Sequence, residues 1–489
     1  MPKLPYRRRA NSIPLVRELQ SDTLIVFLSD CHIGGDPGCD AFEAAGELED
    51  LFEEFADHKG PVELVLAGDF FDLLQVGSPR EGLDRAGETV LRPEYQGLFD
   101  ALRRFNEGEG HRTIYIPGNH DAEVFWNPHV RQPLMSNGLV SEFAPCYAAS
   151  LVPEQTSDGA SGARPRIVYC EHGNQFDPAN VVSDYTDPLD TPLGHHLVTD
   201  FTRRIAPVGK VTGKLDLSDL KRVYPLVEIP RWIASRLFYD LMSRMLRYLL
   251  LPLLVAYAAY RAIAYYLASR AGSPAPLWDG FLSPPEVQEL LLDIYFFAVL
   301  AVIVLGVVFI ALRRTVRRAL SAFSGSSVSS ISDGTVRPRN DRAARILGAV
   351  EKSVFSTEGP PMSDDDVPWP PDVFVFGHTH TPSLERLELP EDRHTAVVNS
   401  GCWLRQLSPI PARLHAPPVF VSRFTCTHVR VYLEDPEELE GERLRLELWE
   451  RPKPSGQRLG RVERLAALGR IPHEPLAEAK VRLKDSLEL

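Results

Sequence analysis

Five times along this 489-residue chain, a short run of β-branched and aromatic residues stops at a cluster of aspartate, asparagine or histidine. TLIVFLSDCHIGG carries Asp30 and His32, and VELVLAGDFFD carries Asp69 and Asp72. RTIYIPGNHD carries Asn119, His120 and Asp121; RIVYCEHGNQFD carries His172; DVFVFGHTH carries His378 and His380. Unbroken apolar runs of this length, separated by helical stretches, read as strands buried on both faces. Polar clusters placed just past strand ends fit the rule that open α/β sheets carry their sites there.

In Asp30-x-His32 and His378-x-His380, extended backbone would turn residues i and i+2 to the same side. Two side chains then reach one ion or straddle two. Gly68, Gly118, Gly173 and Gly377 allow the tight turns that a metal site needs beside it. Carboxylate, imidazole and carboxamide together suit Mn²⁺ first, with Fe or Zn²⁺ as the other choices, and no thiolate is called for. A single His-x-His or Gly-Asp is commonly structural. Five such clusters, each ending a strand-like run, are not. Asp121 reads as a structural residue capping its turn, and Cys31 as a packing residue pointing away from its two neighbours.

In this order the clusters resemble the signature of the calcineurin-like metallophosphoesterases. It stands here as Asp30/His32, Gly68-Asp69, Gly118-Asn119-His120-Asp121, His172 and Gly377-His378-Thr379-His380, with NSGCW (Asn399 to Trp403) similar to the next strand end. The resemblance implies a four-layered α/β sandwich with two divalent metal ions. Asp30, His32 and His380 would hold one ion, and Asn119, His172 and His378 the other, with Asp69 bridging. A metal-activated hydroxide would attack phosphorus. His120 would act on the leaving oxygen and Asp72 would orient it. Within the superfamily the chain looks closest to UDP-2,3-diacylglucosamine pyrophosphatase-like enzymes, which carry a helical insertion between the lone histidine and Gly-His-x-His. It departs from them in having His120 where they have arginine, and in the character of its insertion.

That insertion, Pro178 to Pro371, holds the most apolar part of the chain. Residues 294–312 are IYFFAVLAVIVLGVVFIAL, without a charge, and are followed by Arg313, Arg314, Arg317 and Arg318. A helix of that length reaches roughly 28 Å, about the thickness of a bilayer's hydrocarbon. Residues 248–269 form a weaker partner containing Pro252 and Arg261, able to span or to lie at the interface. Arg231, Arg236, Arg244 and Arg247 precede it. The connector from Ala271 to Leu292 has Asp279, Glu286 and Glu289 and no basic residue, although Arg270 sits at its start. Positive charge favours the cytoplasm. The pattern predicts a multi-pass transmembrane hairpin in the cytoplasmic membrane, with the catalytic domain on the cytoplasmic side.

The expected organisation is a first catalytic segment over 22–180, a helical insertion over 181–247, the hairpin over 248–312 and a return segment over 313–370. The last contains the Ser/Gly-rich linker Ser321 to Gly334. A second catalytic segment covers 371–450, and a charged, peripheral tail with one helix near its end covers 451–489. Six scattered cysteines without a CxxC pair suggest reduced usage. The basic N-terminus lacks the apolar core of a secretory signal. The formal charge of −13 argues against nucleic acid as a partner. The basic stretch Arg203, Arg204, Lys210, Lys214, Lys221 and Arg222 is a candidate for lipid headgroups or a diphosphate. His195-His196 is read as a surface helix start, with a third metal or a substrate contact as the alternative. Trp403 walls either the site or the core.

The function expected is a membrane-anchored phosphoesterase acting on a phosphodiester, phosphomonoester or diphosphate, in a lipid-linked substrate. The alternatives are a tethered phosphodiesterase for soluble nucleotides and a catalytically silent membrane scaffold. The full ligand set argues against the last.

Overall fold

The computed structural model describes residues 15–152 except 78 and 80, 164–202, 217–224, 228–270, 341–355, 369–434 except 391 and 392, 443–475 and 481–489, with isolated positions between 292 and 314. The strands are β1 Leu15–Leu19, β2 Leu24–Leu28, β3 Val62–Ala67, β4 Arg112–Ile116, β5 Glu142–Phe143, β6 Tyr147–Leu151, β7 Arg166–Cys170, β8 Val373–Phe376, β9 Ser383–Glu388, β10 His394–Asn399, β11 Arg405–Ile410, β12 Val419–Phe424, β13 Thr427–Glu434, β14 Arg443–Glu450 and β15 Arg482–Glu488. The helices used below are α1 Ala45–Ala56, α2 Arg85–Val90, α3 Gln96–Asn106, α4 Ile229–Met245, α5 Leu251–Arg270, α6 Asp341–Phe355 and α7 Arg461–Ala466.

Two sheets form the centre. One has the order β15-β14-β13-β2-β3-β4-β5 and the other β1-β6-β7-β8-β10-β9. In the first, β2, β3 and β4 run parallel; in the second, β7 and β8 run parallel. Every residue of β2 (LIVFL), β3 (VELVLA) and β8 (VFVF) is buried; the runs are apolar except for Glu63, whose carboxylate accepts from Arg17 at 2.9 Å and from the Tyr147 hydroxyl at 2.5 Å. Alternate residues of each strand face opposite layers. Ile25, Phe27, Val65 and Ala67 meet Val168, Val373, Val375 and Val398 between the sheets.

Leu24, Val26 and Leu28 face the other way, onto α1 and α3. Those helices bury Leu48, Leu51, Phe52 and Phe55, and Leu98, Phe99, Leu102 and Phe105. This three-and-four spacing makes one apolar stripe, worth about 1.5–3 kcal/mol for each large side chain buried. On the far side, Ile346, Val350 and Val354 of α6 cover Tyr169, Phe374 and Val397. Helix, sheet, sheet and helix make four layers, with α6 supplied by the return segment of the insertion.

Two boundaries differ from the sequence reading. β1 precedes residue 22 and pairs in parallel with β6. The tail is not peripheral: it ends in β15, which extends the first sheet by pairing with β14. Its polar sequence, RLKDSLE, suits an edge strand whose faces are largely exposed. Helix α7 of the tail packs on α4, where Arg236 reaches Glu463 at 3.1 Å.

No helix among the described residues is long and apolar enough to cross a membrane. The connector 271–291, most of 294–312 and the linker Ser321 to Gly334 lie outside the described residues, as do Arg203, Arg204, Lys210 and Lys214. Arg222 is not available to an anion as expected, because it pairs with Glu43 and, at 2.7 Å, with Asp219.

Candidate metal centre

All five clusters meet at one place because β2, β3 and β4 in one sheet, and β7 and β8 in the other, end on the same edge. The loop after β2 brings Asp30 and His32, that after β3 brings Asp69 and Asp72, and that after β4 brings Asn119 and His120. The loops after β7 and β8 add His172, and His378 with His380.

The backbone does not do this by extended i, i+2 alternation. Asp30, His32, Asp69, His378 and His380 have φ of 54°, 52°, 52°, 65° and 54°. These left-handed turns re-aim each side chain as its strand ends, at a steric cost that only the surrounding structure maintains. Close approach adds a second constraint. A Cβ on Gly118 would lie 2.1 Å from Asp69 Oδ1, and one on Gly68 would lie 2.3 Å from the His172 ring. Asp121 locks the turns together: its carboxylate accepts from the N–H groups of Gly118 (2.6 Å) and Phe70 (2.8 Å) and from the Tyr115 hydroxyl (2.6 Å).

On one side, His32 Nε2 and His380 Nε2 are 3.2 Å apart. Asp30 Oδ1 lies 3.1 Å from His380 Nε2 and 3.9 Å from His32 Nε2. On the other side, Asp69, His172 and His378 converge. Asp69 Oδ1 is taken by the N–H of His120 at 2.7 Å. Asp69 Oδ2 lies 3.7 Å from His32 Nε2 and 3.3 Å from His172 Nε2, between the two groups. The Ala67 carbonyl holds His172 Nδ1 at 2.9 Å, which turns Nε2 inward.

Asp30 Oδ1, Asn119 Oδ1 and His172 Nε2 are buried without a hydrogen-bond partner. Orphaned acceptors among facing imidazole nitrogens are what two cations would satisfy. The residues present therefore fit a two-metal group, with Asp69 Oδ2 where a shared ligand belongs.

Charge follows the same geometry. Burial alone would raise the Asp30 carboxyl, but His380 overcomes it and holds the pKa at about 2. Burial opposes a proton on His172, and Asp69 more than offsets this, raising it to about 10. Burial, with His120 beside it, lowers His32 to about 4. His120 Nδ1 lies 2.9 Å from Asp72 Oδ1. Against its burial, Asp72 and Asp69 raise it to about 9.

One residue escaped the sequence reading. Asp177 Oδ2 lies 3.0 Å from His378 Nε2, and both side chains are buried. With Nε2 against that carboxylate, Nδ1 is the His378 nitrogen that would serve an ion. Its only signal was its position five residues after His172. Trp403 is a core residue, fully buried with Nε1–H donating to the Thr427 carbonyl at 2.9 Å. Cys31 is buried packing, as expected. His195 and His196 are not a helix start: they end the four-residue helix Leu193–His196; His196 contacts Thr191, and neither joins a metal-binding group among the described residues.

Facing sheets with histidine and carboxylate ligands at their shared edge define a metal-dependent hydrolase. Residues 23–222 match the family model of the calcineurin-like phosphoesterases, and the chain is a metal-dependent phosphoesterase. The matched segment holds every candidate ligand up to His172; His378 and His380 lie beyond it. No curated protein matches the chain.

Proposed function

We propose that this phosphoesterase cleaves a phosphoester in a membrane-borne substrate, with the metal centre held at the cytoplasmic surface. The convergence of Asp30, His32 and His380 with Asp69, Asn119, His172 and His378 carries the chemistry. Two divalent ions, Mn²⁺ in our reading, would acidify a water and offset charge building on phosphorus. Asp69 would join the two halves, and the remaining six residues would fix their places. His120 would give its proton to the departing oxygen while Asp72 keeps the ring oriented.

The membrane part rests on α4 and the helical segments C-terminal to it. Tyr224 stacks on His380 with ring centroids 5.5 Å apart. Five residues later α4 begins, rooted by Tyr239 and Ser235, whose hydroxyls donate to the Pro417 and Pro418 carbonyls at 2.7 and 2.6 Å. The helical path continues through α5, where Val255, Tyr260, Ile263 and Leu267 are exposed. Leu292, Tyr295, Phe296, Ile303 and Val307 are exposed too, and the Tyr257 hydroxyl donates to Asp293 at 2.6 Å, joining the two segments. Large apolar side chains exposed in series mark a surface that meets something apolar. A transmembrane hairpin over 248–312, with arginines outside both segments, is the arrangement we favour.

The test uses the full chain purified in detergent, chelated and then given Mn²⁺. It should hydrolyse aryl phosphoesters only with metal, and should float with liposomes in high salt. Activity after exhaustive chelation would overturn the metal chemistry. Failure to float would overturn the membrane part alone.

A further inference from the structure

The insertion touches the metal centre through Tyr224. Its ring lies nearly parallel to that of His380, at 13° and with centroids 5.5 Å apart. His380 is also the least enclosed of the four candidate ligand histidines. Its side chain is 20% exposed, against 5% for His32, 0% for His172 and 4% for His378.

The other three are turned by what lies around them. His172 Nδ1 meets the Ala67 carbonyl and His378 Nε2 meets the Asp177 carboxylate. Such outer hydrogen bonds fix which way a ligand imidazole points. His32 packs edge-on against the His120 ring, with centroids 4.5 Å apart. The polar contacts of the His380 ring run through Nε2, to His32 at 3.2 Å and Asp30 at 3.1 Å. Among the described residues, no hydrogen-bond partner meets its Nδ1. We propose that Tyr224 is the positioning residue for His380, its ring face doing what a hydrogen bond does for His172 and His378. The insertion then helps to hold the ion assigned to Asp30, His32 and His380. The proposal rests on the two-metal reading above and deepens it.

Tyr224 is itself fixed against the same strand as His380. Two consecutive residues of β11 set the spacing of the pair. Gln406 Nε2 donates to the His380 carbonyl at 3.1 Å, and the Leu407 carbonyl accepts from the Tyr224 N–H at 3.1 Å. Val223 is fully buried, bridges to Leu407 and packs with Trp232 and Phe420. Arg222 is tied to Glu43, which also pairs with Arg405 of β11 at 3.0 Å. Trp232 belongs to α4, so the segment that carries Tyr224 and the root of α4 share one small core.

An aromatic face suits this task. An ion draws electron density from the imidazole that binds it, and the face of a tyrosine ring is negative, so the stack strengthens as the ion binds. An aliphatic side chain of similar bulk fills the space without that gain.

Calorimetric titration of the chelated full chain with Mn²⁺ tests the proposal without turnover. His380→Ala identifies the binding step that belongs to this ion. Tyr224→Leu keeps bulk and loses the ring face. It should weaken that step roughly two- to tenfold, the usual worth of an aromatic pair, and leave the other step nearly unchanged. Tyr224→Phe keeps the face and should bind as the parent does. Parental affinity in Tyr224→Leu would overturn the proposal. Equal weakening of both steps would also overturn it, because Tyr224 would then be a scaffold residue only. So would a Tyr224→Phe variant as weak as Tyr224→Leu, which would assign the effect to the hydroxyl. A parent that takes up no Mn²⁺ would instead refute the two-metal reading.

Discussion

Replacing Asp177 by asparagine should cost one metal ion and spare the other. The carboxylate meets His378 Nε2 at 3.0 Å and accepts from the Ala179 N–H at 3.1 Å and from Asn180 Nδ2 at 2.7 Å. Asparagine keeps one oxygen, which suffices for Ala179. Its amide NH₂ would then face two donors, Asn180 Nδ2 and the Nε2–H of His378. His378 escapes by moving its proton to Nδ1, the nitrogen assigned to the ion, or by rotating. Either change weakens a ligand that this contact helps to orient. Loss of such an outer partner typically costs 10–100-fold in metal affinity, about 1.4–2.8 kcal/mol.

Calorimetric titration of the chelated protein, with metal content counted after dialysis, reads this directly. The weakened ion should be the one held by Asn119, His172 and His378, with the Asp30 side unchanged. Asn180→Ala is the control: it removes the other donor on the same oxygen and leaves His378 alone, so both ions should stay. Two ions bound at parental affinity in Asp177→Asn would refute the reasoning. So would equal loss in Asn180→Ala, which would make Asp177 a loop residue only.

Three further outcomes are expected. His120→Gln should keep both ions while lowering kcat roughly 10²–10⁴-fold, and less for a nitrophenyl leaving group, because a good leaving group needs no proton; metal loss in this variant would make His120 a ligand. Loading the chelated protein at pH 7 should release a proton from His172, raised to about 10 by Asp69 against its burial, so binding heats should vary with the buffer's ionisation enthalpy; no variation would refute it. His428 is buried, and burial first, then Arg430 and Arg451, holds its pKa well below the ordinary histidine value of 6.5. The unfolded chain takes up this proton below about pH 6.5 and the folded chain refuses it, so stability is full above that pH and falls below it by about 1.4 kcal/mol per unit. His428→Leu should flatten that part of the curve, and an unchanged slope in chemical denaturation would refute it.

The parts legible in the sequence were those where one residue type serves one physical need. β2 and β8 announce themselves because a strand covered on both faces is apolar throughout, β3 does so with Glu63 as its one exception, and each ends at its ligands. Asp30, Asp69 and His378 were visible for that reason. Asp177 was not, because a residue acting through another needs only to be near it in space, and no spacing encodes that. β15 was hidden because an edge strand may be polar at almost every position. The left-handed backbone at five ligands was hidden for a different reason. Glycine advertises positive φ, whereas aspartate and histidine at the same angle do not.

That backbone makes the last prediction. A non-glycine residue in the left-handed region costs roughly 1–2 kcal/mol, so five such ligands withhold several kcal/mol from a fold whose net stability is of order 5–15. The cost persists because Asp121, the strand pairs and the buried sheets over-determine each turn. His380, at φ 54°, is the place to measure it, since its side chain is only partly buried. His380→Ala and His380→Gly remove the same imidazole, the same contact with Tyr224 and the same ligand. They differ only in the Cβ. At an ordinary position glycine is the less stable of such a pair, by about 0.5–1 kcal/mol, because it frees the unfolded chain. Here relief of the left-handed clash should outweigh that entropy and reverse the sign, with the glycine variant more stable by up to about 1 kcal/mol in urea denaturation of the chelated proteins. An alanine variant more stable than the glycine one would show that the turn after β8 relaxes when its histidine is removed. The centre would then owe its geometry to its ligands rather than to the sheets beneath them.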